Sequence, residues 1–301
     1  MSNFRKFLRD WVFPPNVIRT IYWLQSRIIP AKSTLNLHKR GSDAIYLLAN
    51  GPSLSKDIER HSDEMGHADK MAVNFMAIDE KFAMLKPNLY LLCDPAYFAP
   101  DDKLEDGLCA KIHKLRQVMA DVVSWKMELI IPYSARGGAW ESLMTANKNI
   151  SILHYWDGVQ FLEFADDFSG WMRNRYGPPA ETVMNAAVYL GIFWRYPQIV
   201  LLGADTSFHA MIHVEQDTNR LYKLDEHFYG VEKRYLYDDS RHAAPSRMSA
   251  QLRSVLIVFQ WYDKLRAFAD WAGVKIVNAS SFSWIDAFER PSASTRSVDH
   301  V

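Results

Sequence analysis

The chain has 301 residues, 49% of them hydrophobic, and its 35 basic and 35 acidic side chains cancel. That is enough apolar material for one α/β core with a small insert, and a body with no basic stripe excludes a nucleic-acid-binding surface. Two cysteines, Cys93 and Cys109, give no disulfide framework or zinc-ligand spacing, so a reducing cytoplasm is the expected compartment.

Charge is nevertheless uneven along the chain. Residues 1–42 carry eight Lys/Arg against the single acid Asp10, a local balance of +7 offset by −7 in the remainder. Phe4, Phe7, Leu8, Trp11 and Val12 fall on one helical face, with Arg5, Lys6 and Arg9 off it, and Pro14-Pro15 ends the pattern. The next apolar stretch, Val17 to Ile29, holds Arg19 and Arg27 and is too short and too charged to span a bilayer. No apolar run followed by a small-residue cleavage site marks a signal peptide. Aromatic and basic residues in this mixture fit an anionic membrane surface, which predicts peripheral attachment at the inner face of the cytoplasmic membrane. The same face could instead pack on its own domain, or on a second copy to make a homo-oligomer.

A run of strand character, Ala44 to Ala49, ends in Asn50-Gly51-Pro52-Ser53, and a polar helical segment follows. Strand, small-residue turn and helix start together form the arrangement that holds phosphorylated ligands, because a helix N-terminus offers unpaired N–H groups and partial positive charge. Gly51 leaves room for close approach, and Ser53 can cap the helix or donate to a ligand. The glycine spacing is neither the dinucleotide fingerprint nor a Walker loop. Two further strands end in polar residues: Lys70 to Val73 leads into Asn74-Phe75, and Leu89 to Cys93 into Asp94-Pro95. In an open parallel sheet, strand ends line one edge, so Asn50, Asn74 and Asp94 are expected to share a crevice.

Helices are expected over Leu104 to Val122, Ala139 to Ala146 and Glu181 to Arg195, and strands over Met127 to Pro132, Ile150 to Leu153 and Gln198 to Leu202. The alternation predicts an α/β, doubly wound, mostly parallel Rossmann-like sheet over residues 43–290. Residues 205–245 break it. They are polar and aromatic with no clean period, which predicts an irregular lid insertion whose tyrosines could donate to phosphate oxygens. Its histidines lack a metal-binding spacing, and no metal or cofactor is expected. His242 stands just before Pro245-Ser246, where a long amphipathic helix starts that runs to Gly273. Residues 291–301 read as a loose tail.

The set Asn50-Gly51-Pro52-Ser53-Leu54, Val73-Asn74-Phe75 and Asp94-Pro95 resembles the first half of the bacterial sialyltransferases that use CMP-activated sugars. It is similar also to their kin, the Kdo transferases and the flagellin-glycosylating motility accessory factors. The likeness resumes at Tyr196 to Asp205 and around His242, spanning roughly residues 44–290. It implies that Asn50, Gly51, Pro52, Ser53, Asn74 and Asp205 surround the nucleotide, with Thr182 a further contact. Asp94 stands where the sialyltransferases tend to carry Asn; a carboxylate repels phosphate, so it is expected to meet a hydroxyl. Two lid tyrosines, assigned to Tyr229 and Tyr237, would hold the phosphate, and His242 would be the general base, a role that suits an imidazole titrating near neutral pH. Arg173 and Arg175 are candidates for a substrate carboxylate.

The function implied is inverting, metal-independent transfer of a sialic-acid or Kdo-type sugar from a CMP-sugar donor to a glycan or glycolipid acceptor, in lipopolysaccharide or capsule biosynthesis. Two other classes stay open. One is a magnesium-dependent pterin or nucleotide diphosphokinase, with Asp94 and Asp205 as a minimal metal pair; the other is a non-catalytic scaffold of polysaccharide assembly.

Overall fold

A computed structural model of the chain describes residues 32–35, 41–145, 147–158, 167–227, 230–237 and 244–291, with positions 20, 24, 27 and 28. Most of the N-terminal amphipathic segment, the tail beyond 291, and both Tyr229 and His242 lie outside the described residues.

Seven strands form one all-parallel sheet: β1 (Ala44–Leu48), β2 (Asp69–Val73), β3 (Leu89–Leu91), β4 (Met127–Pro132), β5 (Ile150–Tyr155), β6 (Gln198–Leu202) and, after an insertion, β10 (Lys275–Asn278). Their order is β10-β6-β1-β2-β3-β4-β5. The strands are short continuous apolar runs because both faces are covered, as parallel sheets require. Alternate side chains serve opposite faces. Ile45, Leu47, Met71, Val73, Ile199 and Leu201 pack into one core with the helices α6 (Val183–Phe193) and α7 (Met248–Ala272). Tyr46, Leu48, Ala72, Val200 and Leu202 pack into the other with α1 (Leu54–Met65) and α3 (Asp106–Val122). The result is the doubly wound α/β architecture that the alternation of elements predicts.

Helix α6 is buried all round except at its first residue, as a wholly apolar helix must be. Helix α7 ends at Gly273, whose φ of 70° closes the last turn in the left-handed region. Three shorter helices complete the described set: α2 (Lys81–Leu85), α4 (Ala139–Met144) and α5 (Phe168–Met172). Among the described residues, no helix is long and apolar enough to cross a membrane.

Both flanks of the sheet are met by neighbouring chain. At β5, Ser33 Oγ and the Thr34 N–H donate to the His154 carbonyl (both 2.9 Å), and the His154 N–H donates to Thr34 Oγ1 (2.8 Å). At β10, the Asn278 N–H donates to the Glu289 carbonyl at 2.8 Å, and Val277 pairs with Glu289 in a parallel bridge.

The middle of the stretch expected to be an irregular lid, 205–245, is β-structure instead. β7 (Ile212–Val214), β8 (Leu221–His227) and β9 (Gly230–Tyr235) form an antiparallel meander.

Candidate functional site

The sheet reverses direction between β1 and β6: strands β1 to β5 step one way, and β6 returns to the other side of β1. A crevice at such a reversal, outside the strand C-termini, is where open α/β sheets bind ligands. The Asn50–Ser53 turn leaves β1 at this point, and Gly203, Ala204 and Asp205 leave β6 beside it.

The two loops are stitched together tightly. The Gly51 N–H donates to the Gly203 carbonyl at 2.9 Å. A Cβ on Gly51 would lie 2.4 Å from both that carbonyl oxygen and Asp205 Oδ1, so only glycine fits. The Ser53 N–H at the start of α1 donates to Asp205 Oδ2 at 3.2 Å, and Ser53 Oγ contacts Asp205 Oδ1 and, at 3.0 Å, Asp57 Oδ2. Ser53 therefore does not cap α1 through its side chain; its hydroxyl is held between two carboxylates.

A hydroxyl has one proton to donate, so it can donate to only one of the two carboxylates at a time. Asp205 is buried, and burial pushes its carboxyl above the ordinary range, against the lowering effect of the Ser53 hydrogen bonds and with Asp57 adding to the rise. Asp57 is the residue that sequence reasoning missed. Its fully buried carboxylate accepts the Gly203 N–H (2.9 Å) and the Ser281 N–H (2.8 Å) besides facing Ser53. It thus ties the loops after β1, β6 and β10 into one platform.

The neighbouring strand ends continue the row. Asn50 is exposed, and its Nδ2 donates to the Val73 carbonyl at 3.2 Å, fixing the turn against the end of β2. Asn74 takes a left-handed backbone (φ 52°), which asparagine tolerates, and its carbonyl accepts the Tyr90 hydroxyl at 2.6 Å. Its side-chain Oδ1 is buried without a hydrogen-bond partner, the kind of group that a ligand or an ordered water completes. Asp94, exposed at the end of β3, accepts the Ala96 N–H at 2.9 Å and caps a short 3-10 turn, Pro95–Phe98. Thr182 caps α6 by accepting the Asn185 N–H at 3.2 Å. The buried Tyr262 hydroxyl lies beside Thr182 and Thr206 without a hydrogen bond of ordinary geometry.

The insertion springs from the loop after β6, through a 3-10 turn, Phe208–Met211. His209 in that turn packs its ring edge-on to Trp284 (centroids 4.7 Å apart) and Phe259 (6.0 Å), and its Nδ1 is buried without a partner. Further out, the Arg220 guanidinium donates to the Tyr237 hydroxyl at 2.5 Å and lies 4.1 Å from the Tyr235 ring centroid. A guanidinium and a phenol side by side can both donate to an anion. Arg220 stands two residues before Tyr222 in the sequence, but nothing local distinguishes it from a surface charge.

The structure thus brings Asn50, Gly51, Pro52, Ser53 and Asp205 together, sets Asn74 and Asp94 on the adjoining strand ends, and places Thr182 at the head of α6. Tyr237 sits with Arg220 in the insertion. In comparisons with known proteins, no family model matches, and no curated protein matches. Among solved structures, the MAf glycosyltransferase from Magnetospirillum magneticum AMB-1 is similar at 13% identity and a TM-score of 0.49, over 91% of this chain and 38% of that one. The chain therefore spans well under half the length of that protein.

Proposed function

We propose that the protein is a glycosyltransferase that takes an acidic sugar of the sialic-acid or Kdo type from a CMP-sugar and passes it, with inversion and without metal, to a glycan or glycolipid acceptor. The observation that carries the reading is the platform at the sheet reversal. There a glycine that tolerates no side chain, Gly51, and a helix-start N–H, from Ser53, are held rigid by two buried carboxylates. The Gly51 and Ser53 N–H groups are engaged by Gly203 and Asp205, so the turn serves as a rigid wall of the crevice, and positioning is most of what a donor site contributes. The unpartnered Asn74 Oδ1 and exposed Asn50 supply polar contacts on the adjoining strand ends. Tyr237 and Arg220 supply neutral and cationic donors for a leaving CMP phosphate.

On this reading His242 takes the proton of the acceptor hydroxyl as it attacks the anomeric carbon, and CMP leaves from the opposite face. Asp205, engaged by Ser53 and buried, acts by holding the turn. Asp94 is left free to meet a hydroxyl of donor or acceptor, because its exposed carboxylate is unsuited to a phosphate. The basic, aromatic first 42 residues would bring the enzyme to an anionic membrane where a lipid-linked acceptor resides.

The test is a thermal-shift panel of nucleotides and nucleotide sugars. CMP at hundredfold excess over its Kd should add about 2.7 kcal/mol of stability with chelator present. Stabilisation by ATP with magnesium but not by CMP would replace this reading with the diphosphokinase.

A further inference from the structure

Away from the platform, the loop that follows β3 folds back on the first turns of α3 and brings three different ligand atoms together. Asp101 lies in a 3-10 turn, Asp101–Lys103, ahead of the helix. Cys109 and His113 are four residues apart on α3, hence on one face, one turn above the other. Asp101 Oδ2 is 2.8 Å from His113 Nε2, and the same carboxylate is within hydrogen-bonding reach of the Cys109 thiol. The three ligand atoms all lie within 4.8 Å of one another.

We propose that Asp101, Cys109 and His113 form a binding site for a zinc-class divalent metal ion that clamps the loop after β3 onto α3. One carboxylate oxygen, one thiolate and one imidazole nitrogen make a borderline-soft donor set that suits Zn²⁺ better than Mg²⁺ or Ca²⁺. Metal–ligand bonds of ~2.0–2.3 Å in tetrahedral geometry put ligand atoms about 3.4 Å apart, within the spread observed here and reachable by small rotamer changes of exposed side chains. Asp106 adds negative charge beside Cys109, against the opposing charge of Arg116. The face is open to solvent, so the ion has an entry path and a fourth position for water or an exchangeable ligand. The clamp would steady the segment that begins at Asp94, and it is separate from the transfer chemistry proposed above.

Cobalt makes the site directly observable, because a thiolate bound to Co²⁺ gives a charge-transfer absorption. Cys93 is buried and its thiol pushed up to about 12 by burial, so such a band would report Cys109. The full chain, reduced and stripped with chelator, should take up one Co²⁺ with that band and one Zn²⁺ in competition with a chromophoric chelator. Cys109→Ser should abolish the band, and Cys109→Ser and His113→Ala should each weaken Zn²⁺ binding at least tenfold while leaving CMP-induced stabilisation unchanged. Uptake without the thiolate band, or Zn²⁺ affinity unmoved by both substitutions, would overturn the proposal.

Discussion

Asp57 has three donors around its buried carboxylate, and two of them are backbone N–H groups that no rotamer change can turn away. Replacing it by asparagine turns one acceptor oxygen into an NH₂ group that must face one of those donors. Asp57→Asn should therefore cost about 1–3 kcal/mol, read from the midpoint of urea unfolding, and should weaken nucleotide binding through the slackened turn. The sequence does not reveal this residue. An acid in the first turn of a helix looks like an ordinary solvated dipole partner, and its loop partners Gly203 and Ser281 are 146 and 224 residues away. The turn's place in the fold is legible because Asn-Gly-Pro-Ser interrupts an apolar run just ahead of a polar helical segment. His242 belongs to the same scale. His242→Ala should lower turnover by ~10²–10⁴ while CMP affinity stays nearly constant, the separation expected of a general base, in steady-state kinetics alongside calorimetric titration. Near-normal turnover would move attention to His209, whose Nδ1 is buried without a partner.

At the scale of the element, the insertion is held by Glu215. Its carboxylate accepts from Lys233, Thr218 and Tyr235, and the Lys233 bond above all, with those of Thr218 and Tyr235, lowers its pKa from 4.5 to about 2. A carboxyl lowered in the folded state contributes its full share above the unfolded value of 4.5 and loses it as pH falls toward 2. The meander should therefore loosen between those limits while the central sheet persists. Protection factors of β7 to β9, taken relative to the intrinsic exchange rate at each pH, should fall on acidification, and Glu215→Gln should flatten that dependence. Sequence reading took this segment for an irregular lid for a physical reason. Tyr222-Lys223-Leu224-Asp225-Glu226-His227 has no alternation of apolar with polar, and the contacts of the described side chains in this small sheet are largely between rings and charges. Lys233 over the Tyr222 ring and Arg220 over Tyr235 do the work that a buried stripe does elsewhere.

For the whole molecule, the class of fold was readable because every central strand is an apolar run bounded by polar turns. Strand order was not. Nothing in Gln198 to Leu202 says that it inserts beside β1 rather than beyond β5, yet that choice creates the crevice. The N-terminal 42 residues make a separate prediction. Deleting residues 1–30 should release the protein from anionic vesicles in a flotation assay, each basic side chain being worth ~1 kcal/mol there, while activity on a soluble acceptor persists. A deletion variant that cannot fold would show the segment to be core instead.

The hydrogen bonds at the two flanks of the sheet bear on how the molecule behaves in a crowded solution. A parallel sheet that does not close on itself ends in two rows of amide and carbonyl groups on which any extended peptide could template, including the same strand of another copy. Here Ser33 and Thr34 sit against the His154 end of β5, and Glu289 sits against β10, so short pieces from far apart in the chain stand guard at opposite ends. Each guard is anchored by its neighbours: Leu35 follows Thr34 into the core, and Ala287 and Phe288 enter it just before Glu289. Clipping near either one would uncover a flank and loosen core contacts together, so strand addition between copies would accompany the loss of stability.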